Sequence, residues 1–436
     1  QQSHINAAGD IDLARWLQLL PLDLSEADTA HLLAACEMAQ DALVAPGQDA
    51  GDWAQDSNCF VAGLDIALIL AELQVGLDCL VAGILYRGVR EQRLQMDQVE
   101  ARFGRDVVDM ICGVQRMCAI GDLTLQTDSP VLGQAHGQKD NIRKMLIALV
   151  DDVRVALIKL AERTCAIRAV KDDEQRRQVI GQEVFDVYAP LAHRLGIGHL
   201  KWELEDLSFR YIYADAYRKI ARLLDGKRLE RDDFISRVTE DLHRILCNAG
   251  LEFEIAGRAK HIYSIWRKMQ RKGIGFSQVY DIRAVRILVP EIKDCYATLG
   301  LVHGMWRNIP NEFDDYIANP KENGYRSLHT AVIGPEGKVL EVQIRTRQMH
   351  EEAELGVCAH WRYKGSDAEG GLASTYEEKI AWLRQVLDWH EETGDPRSVA
   401  EQFSFNVAQD RVYVFTPHGD VVNLAQGATP LDFAYH

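Results

Sequence analysis

The sequence predicts a multidomain protein with an all-α first half, a mixed α/β domain after it, and a small β domain that begins near its end. Up to about residue 240, apolar residues recur at three- and four-residue spacing, which is typical of amphipathic helices. Beyond Gly250, short strand-like runs alternate with helical segments, as in mixed α/β domains. Near the end, two short apolar runs flank a turn containing Pro417 and Gly419, which predicts a β-hairpin.

These changes of pattern divide the chain into segments, with helices and strands inside them. The segments are a helical domain at 1–180, a helical connector at 181–240, the α/β domain at 241–392, a linker at 393–407 and the β domain from 408 to 436. In the first half the predicted helices are Asp56–Glu72, Asn141–Val170 and Gln175–Ala192, and the predicted loop is Gly121–Gly137. In the α/β domain the predicted strands are Leu251–Ala256, Ala284–Val289, Ser327–Ile333 and Val339–Ile344. The predicted helices are Lys260–Arg271, Lys293–Met305 and Tyr376–Glu392, and the hairpin strands are Arg411–Phe415 and Asp420–Leu424.

Composition excludes several classes of protein. The 436 residues carry a formal net charge of −16, so bulk electrostatics do not favour nucleic-acid binding. Nine scattered cysteines without a CxxC spacing indicate buried thiols in a reducing compartment. No apolar run approaches the ~20 residues of a membrane span and no signal peptide opens the chain, so we expect a cytoplasmic protein. The sequence starts without Met and stops inside a patterned segment, so we expect a fragment of a longer protein.

The strand around Glu341 carries a row of polar side chains. Leu340, Val342 and Ile344 fall on one face, whereas Glu341, Gln343 and Arg345 fall on the other. The polar loop before this strand contains Tyr325, whose ring could stack on a flat ligand. The alternation predicts a half-buried strand. A carboxylate beside cations indicates a site that manages charge, and the alternative is a solvated sheet face.

A second pattern is a cationic helix face. Its members fall within one helical arc and are Lys260, Ser264, Arg267, Lys268 and Arg271. Arg258 precedes the helix, and no acidic residue occurs between positions 257 and 272. Like charges on one face repel unless an anion lies among them, and a helix N-terminus near Lys260 would add attraction for phosphate. The alternative is a solvated basic face.

Acidic residues give two further candidates. Asp281 precedes a strand and lies two residues before Arg283, which suits either a Mg²⁺ ligand or a surface ion pair. Glu312, Asp314 and Asp315 could hold a metal or meet a basic partner, but the segment by itself favours a solvated turn. His350 does not open an HExxH motif because position 354 is Glu, and His360 is by default a packed histidine.

Together these segments resemble the RelA/SpoT (Rel) family of (p)ppGpp synthetases of the bacterial stringent response. The matching runs are Gly257–Gln270, Asp281–Ile287, Asp314–Thr330, Val342–Thr346 and Met349–Lys364. The resemblance implies an all-α HD-type domain, a nucleotidyltransferase-like mixed α/β synthetase domain and the start of a β-grasp TGS domain. It implies ribosome and deacylated-tRNA contacts only through further C-terminal domains that are missing here.

The resemblance also implies a reaction, which is transfer of pyrophosphate from ATP to the 3′-hydroxyl of GDP or GTP with Mg²⁺ as cofactor. The ATP phosphates would be held by Arg258, Lys260, Ser264 and Lys268, with Arg267 and Arg271 nearby. Asp281 and Glu341 would be catalytic and would bind Mg²⁺, and Glu341 could alternatively take the proton from the 3′-hydroxyl. The acceptor nucleotide would be held by Lys321, Asn323, Tyr325, His329 and Gln343.

The helical half resembles the family's Mn²⁺-dependent HD hydrolase domain but departs from it at the metal positions. The positions where ligands are expected hold Ala62, Tyr86, Arg87, Arg90, Glu91, Glu162 and Ala166. Ala, Tyr and Arg cannot make a Mn²⁺ site, so we expect an inactive hydrolase domain with a regulatory role. The acidic Glu312-Phe313-Asp314-Asp315 segment resembles that of synthetase-only members, in which extra Mg²⁺ and a preference for GDP are expected.

Three hypotheses follow. The first is a monofunctional synthetase of the RelA type. The second is a bifunctional synthetase and hydrolase, against which the missing ligands argue. The third is a ribosome- or tRNA-binding module whose nucleotide site only senses, against which Asp281 and Glu341 argue, because a sensor needs no general base. The oligomeric state is not predicted.

Overall fold

The computed structural model describes residues 11–44, 58–125, 152–225, 228–258, 260–273, 276, 283–321, 323–359, 411–415 and 421–425. The chain divides into two compact units. One comprises residues 1–119 and 152–369, and the other comprises residues 120–151 and 370–436. No described helix has the length and apolar composition that crossing a membrane requires.

Helices make up the described part of the first half. Their bounds are α1 Leu13–Leu19, α2 Glu26–Asp41, α3 Cys59–Glu72, α4 Leu77–Arg90, α5 Met96–Phe103, α6 Arg105–Leu125, α7 Val153–Ala169, α8 Glu174–Glu183, α9 Ala189–Arg194, α10 Gly198–Ile212, α11 Ala214–Asp225 and α12 Arg228–Asn248. Side-chain caps begin several of them, for example Asn58 at α3 and Asp173 at α8. The predicted helices Asp56–Glu72 and Asn141–Val170 are confirmed within the described residues as α3 and α7.

Two predictions for this half need correction. Helix α6 continues to Leu125, so the predicted loop does not begin at Gly121, and its remainder from residue 126 lies outside the described residues. The single predicted helix Gln175–Ala192 is interrupted by a π-helical turn at Val184–Tyr188. The interruption precedes Pro190, which has no N–H group to donate to the helix ladder.

A five-stranded mixed sheet follows. Its strands are β1 Glu254–Gly257, β2 Ala284–Val289, β3 Arg307–Asp315, β4 Leu328–Ile333 and β5 Val339–Thr346, in the order β1-β2-β5-β4-β3. Strands β2 and β5 are parallel, and the other neighbours are antiparallel. The helices of this region are α13 Ile262–Lys272, α14 Ile292–Met305 and α15 Arg347–Leu355. The mixed α/β prediction is confirmed, with β2 at the predicted bounds.

One face of the sheet carries its core. Apolar side chains of β2, β4 and β5 pack there against α12 and α14, and those from the central strand β5 are Leu340, Val342 and Ile344. The opposite face carries polar side chains, including Arg286, His329 and Glu341. The polar residues of the central strands therefore lie together on one side of the sheet, as the alternating pattern predicted.

The acidic segment is a strand, not the turn that the sequence favoured. Glu312, Asp314 and Asp315 lie in β3, the edge strand, whose register with β4 shifts between Asn308 and Phe313. The bulge accommodates Pro310, because an irregular edge strand does not need every N–H group for pairing.

The second unit is described only in part. Strands β6 Arg411–Phe415 and β7 Val421–Ala425 pair antiparallel, which confirms the predicted hairpin. The predicted helix Tyr376–Glu392 and His360 lie outside the described residues.

Candidate functional site

One cavity of about 480 Å³ gathers the predicted site residues. It lies against α10, α13, the loop before β4, and the polar face of β4 and β5. The predicted residues that line it are Arg258, Lys260, Ser264, Arg267, Lys268, Arg271, Lys321, Asn323, Tyr325, His329, Glu341 and Gln343. Asp281, predicted as a Mg²⁺ ligand, lies outside the described residues. The structure brings the others together, and the role of each stays a prediction.

The cationic side of the cavity begins before α13. Arg258 and Lys260 precede the first turn of the helix rather than lying within it. Their side chains reach across the cavity, with Arg258 Nη1 3.9 Å from Glu341 Oε1 and Lys260 Nζ 3.8 Å from Glu341 Oε2. These two cations and the carboxylate of Glu341 in β5 therefore face one another directly.

The N-terminus of α13 already has an anionic partner within the protein, which argues against the predicted attraction of this helix end for phosphate. Asp206 of α10 accepts hydrogen bonds from the backbone N–H of Tyr263 at 2.9 Å and, more weakly, of Ile262 at 3.4 Å. The Asp206 carboxylate therefore already accepts from two of the backbone N–H groups that an anion at this helix end would need. The cationic side chains of α13, rather than its N-terminus, are the positive groups of this helix that line the cavity.

Glu341 sits at the centre of the polar face. Its register partners are Ala284 on β2 and Ala331 on β4, so small side chains flank it and leave it open to the cavity. Burial by itself would raise the pKa of Glu341, but the His329 imidazole and the charges of Lys260 and Arg258 hold that pKa well below its usual range. Glu341 is therefore an ionised carboxylate at neutral pH.

The side of the cavity beside β4 contains aromatic and imidazole rings. The hydroxyl of Tyr325 lies 2.9 Å from His329 Nε2, and His329 Nδ1 lies 3.6 Å from Glu341 Oε1. Burial lowers the pKa of His329, so the ring is neutral at pH 7. Lys321 Nζ lies 4.2 Å from the ring centroid of Tyr316, a cation–π contact beside Tyr325.

The polar face of β5 is not solvated. Gln343 and Arg345 are 1% and 0% exposed, because α15 packs over this part of the sheet. Gln343 donates to Glu341 Oε1 at 3.4 Å, and Arg345 donates to Glu354 of α15 at 3.3 Å. The prediction of a half-buried strand was wrong, since both faces of β5 are covered.

Sequence reasoning missed several lining residues. His193, Lys201 and Trp202 come from the helical half, and no local pattern connects them with strands β4 and β5, which lie more than 100 residues later. Tyr316 also lines the cavity; an aromatic residue directly after the acidic run was the available signal. Of that acidic run, Glu312 and Asp314 line the cavity.

A second cavity, of about 440 Å³, shares Arg258 and Trp202 with the first. It also contains Arg286, whose pKa is lowered to about 10 by burial and then by the charges of Arg345 and Arg258. Three guanidinium groups thus lie near one another, and Glu354 pairs with two of them, at 3.7 Å from Arg286 and 3.3 Å from Arg345.

The carboxylate of Glu341 suits a magnesium ion. Among the described residues, its buried Oε2 atom and the neighbouring Gln343 Oε1 have no hydrogen-bond partner. Mg²⁺ needs only one or two protein carboxylates when phosphate oxygens and waters complete its shell. The described donor set therefore fits Mg²⁺ at Glu341, and the companion position, Asp281, lies outside the described ranges.

The expected metal positions of the helical half hold buried ion pairs. Arg87 donates to Glu91 at 2.8 Å, and Lys159 donates to Glu162 at 2.8 Å. Arg163 donates to both oxygens of Glu162. Burial opposes ionisation of Glu162, yet Arg163 and Lys159 hold its pKa well below the usual range. The other expected positions are Ala62, Tyr86, Arg90 and Ala166. In the parts of the chain that the structure describes, no cluster of three or more His, Cys, Asp or Glu side chains could hold a metal.

Family models match three stretches of the chain. A model for the HD domain matches residues 28–198, one for the region found in RelA / SpoT proteins matches 257–368, and one for the TGS domain matches 412–436. These matches confirm the predicted order of an all-α HD domain, a mixed α/β synthetase domain and the start of a TGS domain.

Curated relatives of this chain are GTP pyrophosphokinases. The chain is 50% identical to a GTP pyrophosphokinase of Photobacterium angustum over 86% of this chain and 50% of the relative. It is 45% identical to a GTP pyrophosphokinase of Escherichia coli (strain K12) over 100% of this chain and 57% of the relative. It thus spans about half the length of the curated relatives it matches.

Among solved structures, small alarmone synthetase 1 from Bacillus subtilis bound to its product pppGpp matches with 21% identity and a TM-score of 0.26. The match covers 42% of this chain and 100% of that one. From the three domain matches and the whole-chain identity to GTP pyrophosphokinases, the chain belongs to the RelA/SpoT family.

Proposed function

We propose that the chain transfers pyrophosphate from ATP to the 3′-hydroxyl of GDP or GTP, with AMP and ppGpp or pppGpp as products. One observation carries the proposal: ionised Glu341 shares a cavity with the cationic face of α13 and lies within 4 Å of Arg258 and Lys260. Transfer of this kind needs positioning and stabilisation of charge more than covalent help from the protein. The relatives' name, GTP pyrophosphokinase, supports the same reaction.

On the donor side, the cations hold the triphosphate. Arg258, Lys260, Arg267, Lys268 and Arg271 and the hydroxyl of Ser264 line one wall and supply the donors. A bound triphosphate would pair with Arg258 and Lys260, which in the free protein lie within 4 Å of Glu341. The donor is thereby brought next to the carboxylate that serves the acceptor.

On the acceptor side, Tyr325 offers a ring for the guanine base, and Lys321, Asn323, His329 and Gln343 offer polar contacts. The 3′-hydroxyl would then face Glu341. A carboxylate with so low a pKa is a weak base, so before ATP binds Glu341 is better suited to hold a hydrogen bond or a cation. Engagement of Arg258 and Lys260 by phosphate would raise its basicity.

Magnesium, held by Glu341 and Asp281, would neutralise phosphate charge when bound. The acidic side chains of Glu312 and Asp314 at the cavity wall support recruitment of additional Mg²⁺ and a preference for GDP, as in synthetase-only members.

A transfer assay tests the proposal. The chain is incubated with labelled ATP, Mg²⁺ and GDP or GTP, and the products are separated by chromatography. AMP formed together with ppGpp or pppGpp supports the proposal. Nucleotide binding without turnover would support the sensor hypothesis instead.

The helical half, we propose, does not hydrolyse ppGpp, which makes the chain a synthetase-only member of its family. Ala62 and Ala166 offer no ligand atoms, and Glu91 and Glu162 are already engaged by arginine and lysine. Manganese-dependent release of pyrophosphate from ppGpp by this chain would contradict the proposal. Ribosome and deacylated tRNA are proposed partners of additional domains, supported by the TGS match alone.

A further inference from the structure

The cationic helix α13 is fastened to the helical half rather than to the sheet. Its apolar face packs with α10 and α11: the ring centroids of Trp266 and Phe209 lie 4.9 Å apart, and Trp266 stacks on Tyr213 at 5.6 Å. Ile265 is buried against Ile220 of α11. The hydrophobic core on the sheet is formed by α12, α14 and the strands. The two walls of the cavity therefore belong to different hydrophobic cores.

One face of α10 makes several contacts with the donor wall, which is the side of the cavity formed by Arg258, Lys260 and the cationic side chains of α13. Lys201 and Trp202 line the cavity, and one turn later Asp206 binds the N-terminus of α13. The guanidinium of Arg258 lies 5.7 Å from the Trp202 ring centroid. The His261 ring stacks on Trp202 at 5.3 Å, and its Nδ1 lies 3.2 Å from Asp206 Oδ2. Helix α10 thus contacts Arg258, His261 and the first turn of α13, while the Arg258 N–H donates to Ala284 O at the sheet at 2.8 Å.

From these contacts we infer that Asp206 is a positioning residue for the donor nucleotide. It does not line the cavity and touches no proposed ligand atom; it acts through the first turn of α13. That turn contains Ser264 and follows Lys260, and both of these residues line the cavity. Removing the carboxylate leaves the N–H groups of Ile262 and Tyr263 without their partner and loosens the link between the phosphate-binding side chains and Glu341. The inference rests on the proposed function, because it assigns the donor wall to ATP.

The acceptor wall does not depend on this contact. Tyr325, His329 and Glu341 are placed by β4, β5 and the loop before β4, and Asp206 contacts none of them in its described hydrogen bonds. Loss of the Asp206 carboxylate should therefore weaken ATP binding selectively. A residue that served only overall folding would weaken both nucleotides.

The test is calorimetric titration of the full 436-residue chain with Mg²⁺ and either a non-transferable α,β-methylene analogue of ATP or GDP. Asp206→Ala should weaken the ATP analogue by about tenfold or more, because small displacements of positioning groups are costly, and leave GDP affinity unchanged. Asp206→Asn should restore most of the affinity, since Asn caps helices about as well as Asp. The matched control is Asp173→Ala, which removes a carboxylate cap from α8, away from the cavity.

The outcomes separate the two proposals. Unchanged affinity for the ATP analogue in Asp206→Ala, equal losses for both nucleotides, or the same loss in Asp173→Ala would overturn the role of Asp206. Failure of the unmodified chain to bind the ATP analogue would instead contradict the proposed function. If Asp206→Ala does not fold, the Asp206→Asn variant decides: it should bind GDP normally and keep most of its affinity for the ATP analogue, and a large selective loss of that affinity would contradict a role through capping.

Discussion

Replacing Glu341 by Gln removes one negative charge from the cavity and changes the size of the side chain little. Glu341 is 14% exposed and lies within 4 Å of Arg258, Lys260 and His329. The amide can neither accept the proton of a 3′-hydroxyl nor hold Mg²⁺ as a carboxylate does. We therefore expect Glu341→Gln to form almost no ppGpp while both nucleotides still bind.

The magnitude follows from the role of the group. A general base contributes about 10²–10⁴-fold in rate, which corresponds to about 3–5 kcal/mol of activation free energy. Unlike the rate of transfer, ATP affinity should not fall in this variant. Each cation about 4 Å from the carboxylate is attracted by about 4 kcal/mol at an effective dielectric constant of about 20, before desolvation is counted. Without Glu341, Arg258 and Lys260 lose that attraction, so ATP should bind as tightly as before or more tightly.

Two measurements check this expectation. Labelled ATP with GDP and Mg²⁺ gives the rate of AMP formation, and calorimetry gives the dissociation constant of each nucleotide. Glu203→Gln is the matched control, because it converts a carboxylate that pairs with Arg168 at 2.6 Å but does not line the cavity. Turnover like that of the unmodified chain in Glu341→Gln, or parallel loss of ATP binding, would refute the assigned role.

Three other substitutions test the proposed guanine contact, the buried ion pair of the helical half and the close approach of Gly356 to Leu195. Tyr325→Ala should weaken GDP binding by about 1–3 kcal/mol through lost stacking, with ATP nearly unaffected; equal weakening in titrations with both nucleotides would indicate a folding defect. Glu162→Gln should lower the free energy of unfolding at pH 7 by about 3–5 kcal/mol. The pKa of Glu162 is lowered in the folded state, so the stabilisation that its ionised carboxylate provides is complete above the unfolded-state pKa and is lost as pH falls below that value. Urea denaturation at pH 7 and below pH 4 should therefore show that the difference in unfolding free energy between the unmodified chain and Glu162→Gln shrinks at low pH. A constant difference would contradict the pairing. Gly356→Ala should destabilise the fold more than Gly273→Ala: both have positive φ, but an added Cβ would lie 2.0 Å from Leu195 O in the first and within 4 Å of nothing in the second. Equal shifts in thermal melting would exclude the clash as the cause.

Most of the cationic face could be predicted from the sequence because helix geometry determines where the side chains within α13 lie, whereas Lys260 precedes the helix and reaches the same cavity through the fold. Lys260, Ser264 and Lys268 recur at four-residue spacing, and Arg267 and Arg271 fall beside them. All of these side chains line the cavity, while Ile265 on the opposite arc is buried. A periodic pattern is local, so no knowledge of the partner helices was needed.

The burial of Arg345 could not be predicted in this way. The alternating pattern of β5 shows which side chains share a face, but not whether a later element covers that face. Helix α15 folds back over it and brings Glu354 within 3.3 Å of the guanidinium. The edge strand β3 was missed for a related reason, because Pro310 argues against a strand unless a bulge at the sheet edge is known.

The helix N-terminus gives the sharpest contrast. From sequence alone, the first turn of α13 is a free set of donors beside a cationic cluster, and phosphate is the natural partner. The structure places Asp206, more than 50 residues earlier, on those donors. A long-range carboxylate leaves no trace in a local pattern, so only the fold could show that this end of the helix is already occupied.

The geometry of the cavity depends on the contact between the helical half and the end of α15. The cationic helix α13 packs on α10 and α11, whereas Glu341 lies in the sheet, so the contacts between the helical half and the sheet domain help to set the distance between them. The Val357 N–H donates to Leu195 O at 2.9 Å, and His199 Nδ1 lies 3.0 Å from Glu354 O. Because this contact lies outside the groups proposed to bind ATP phosphates or serve as base, a change there can alter the rate of transfer while leaving those groups in place.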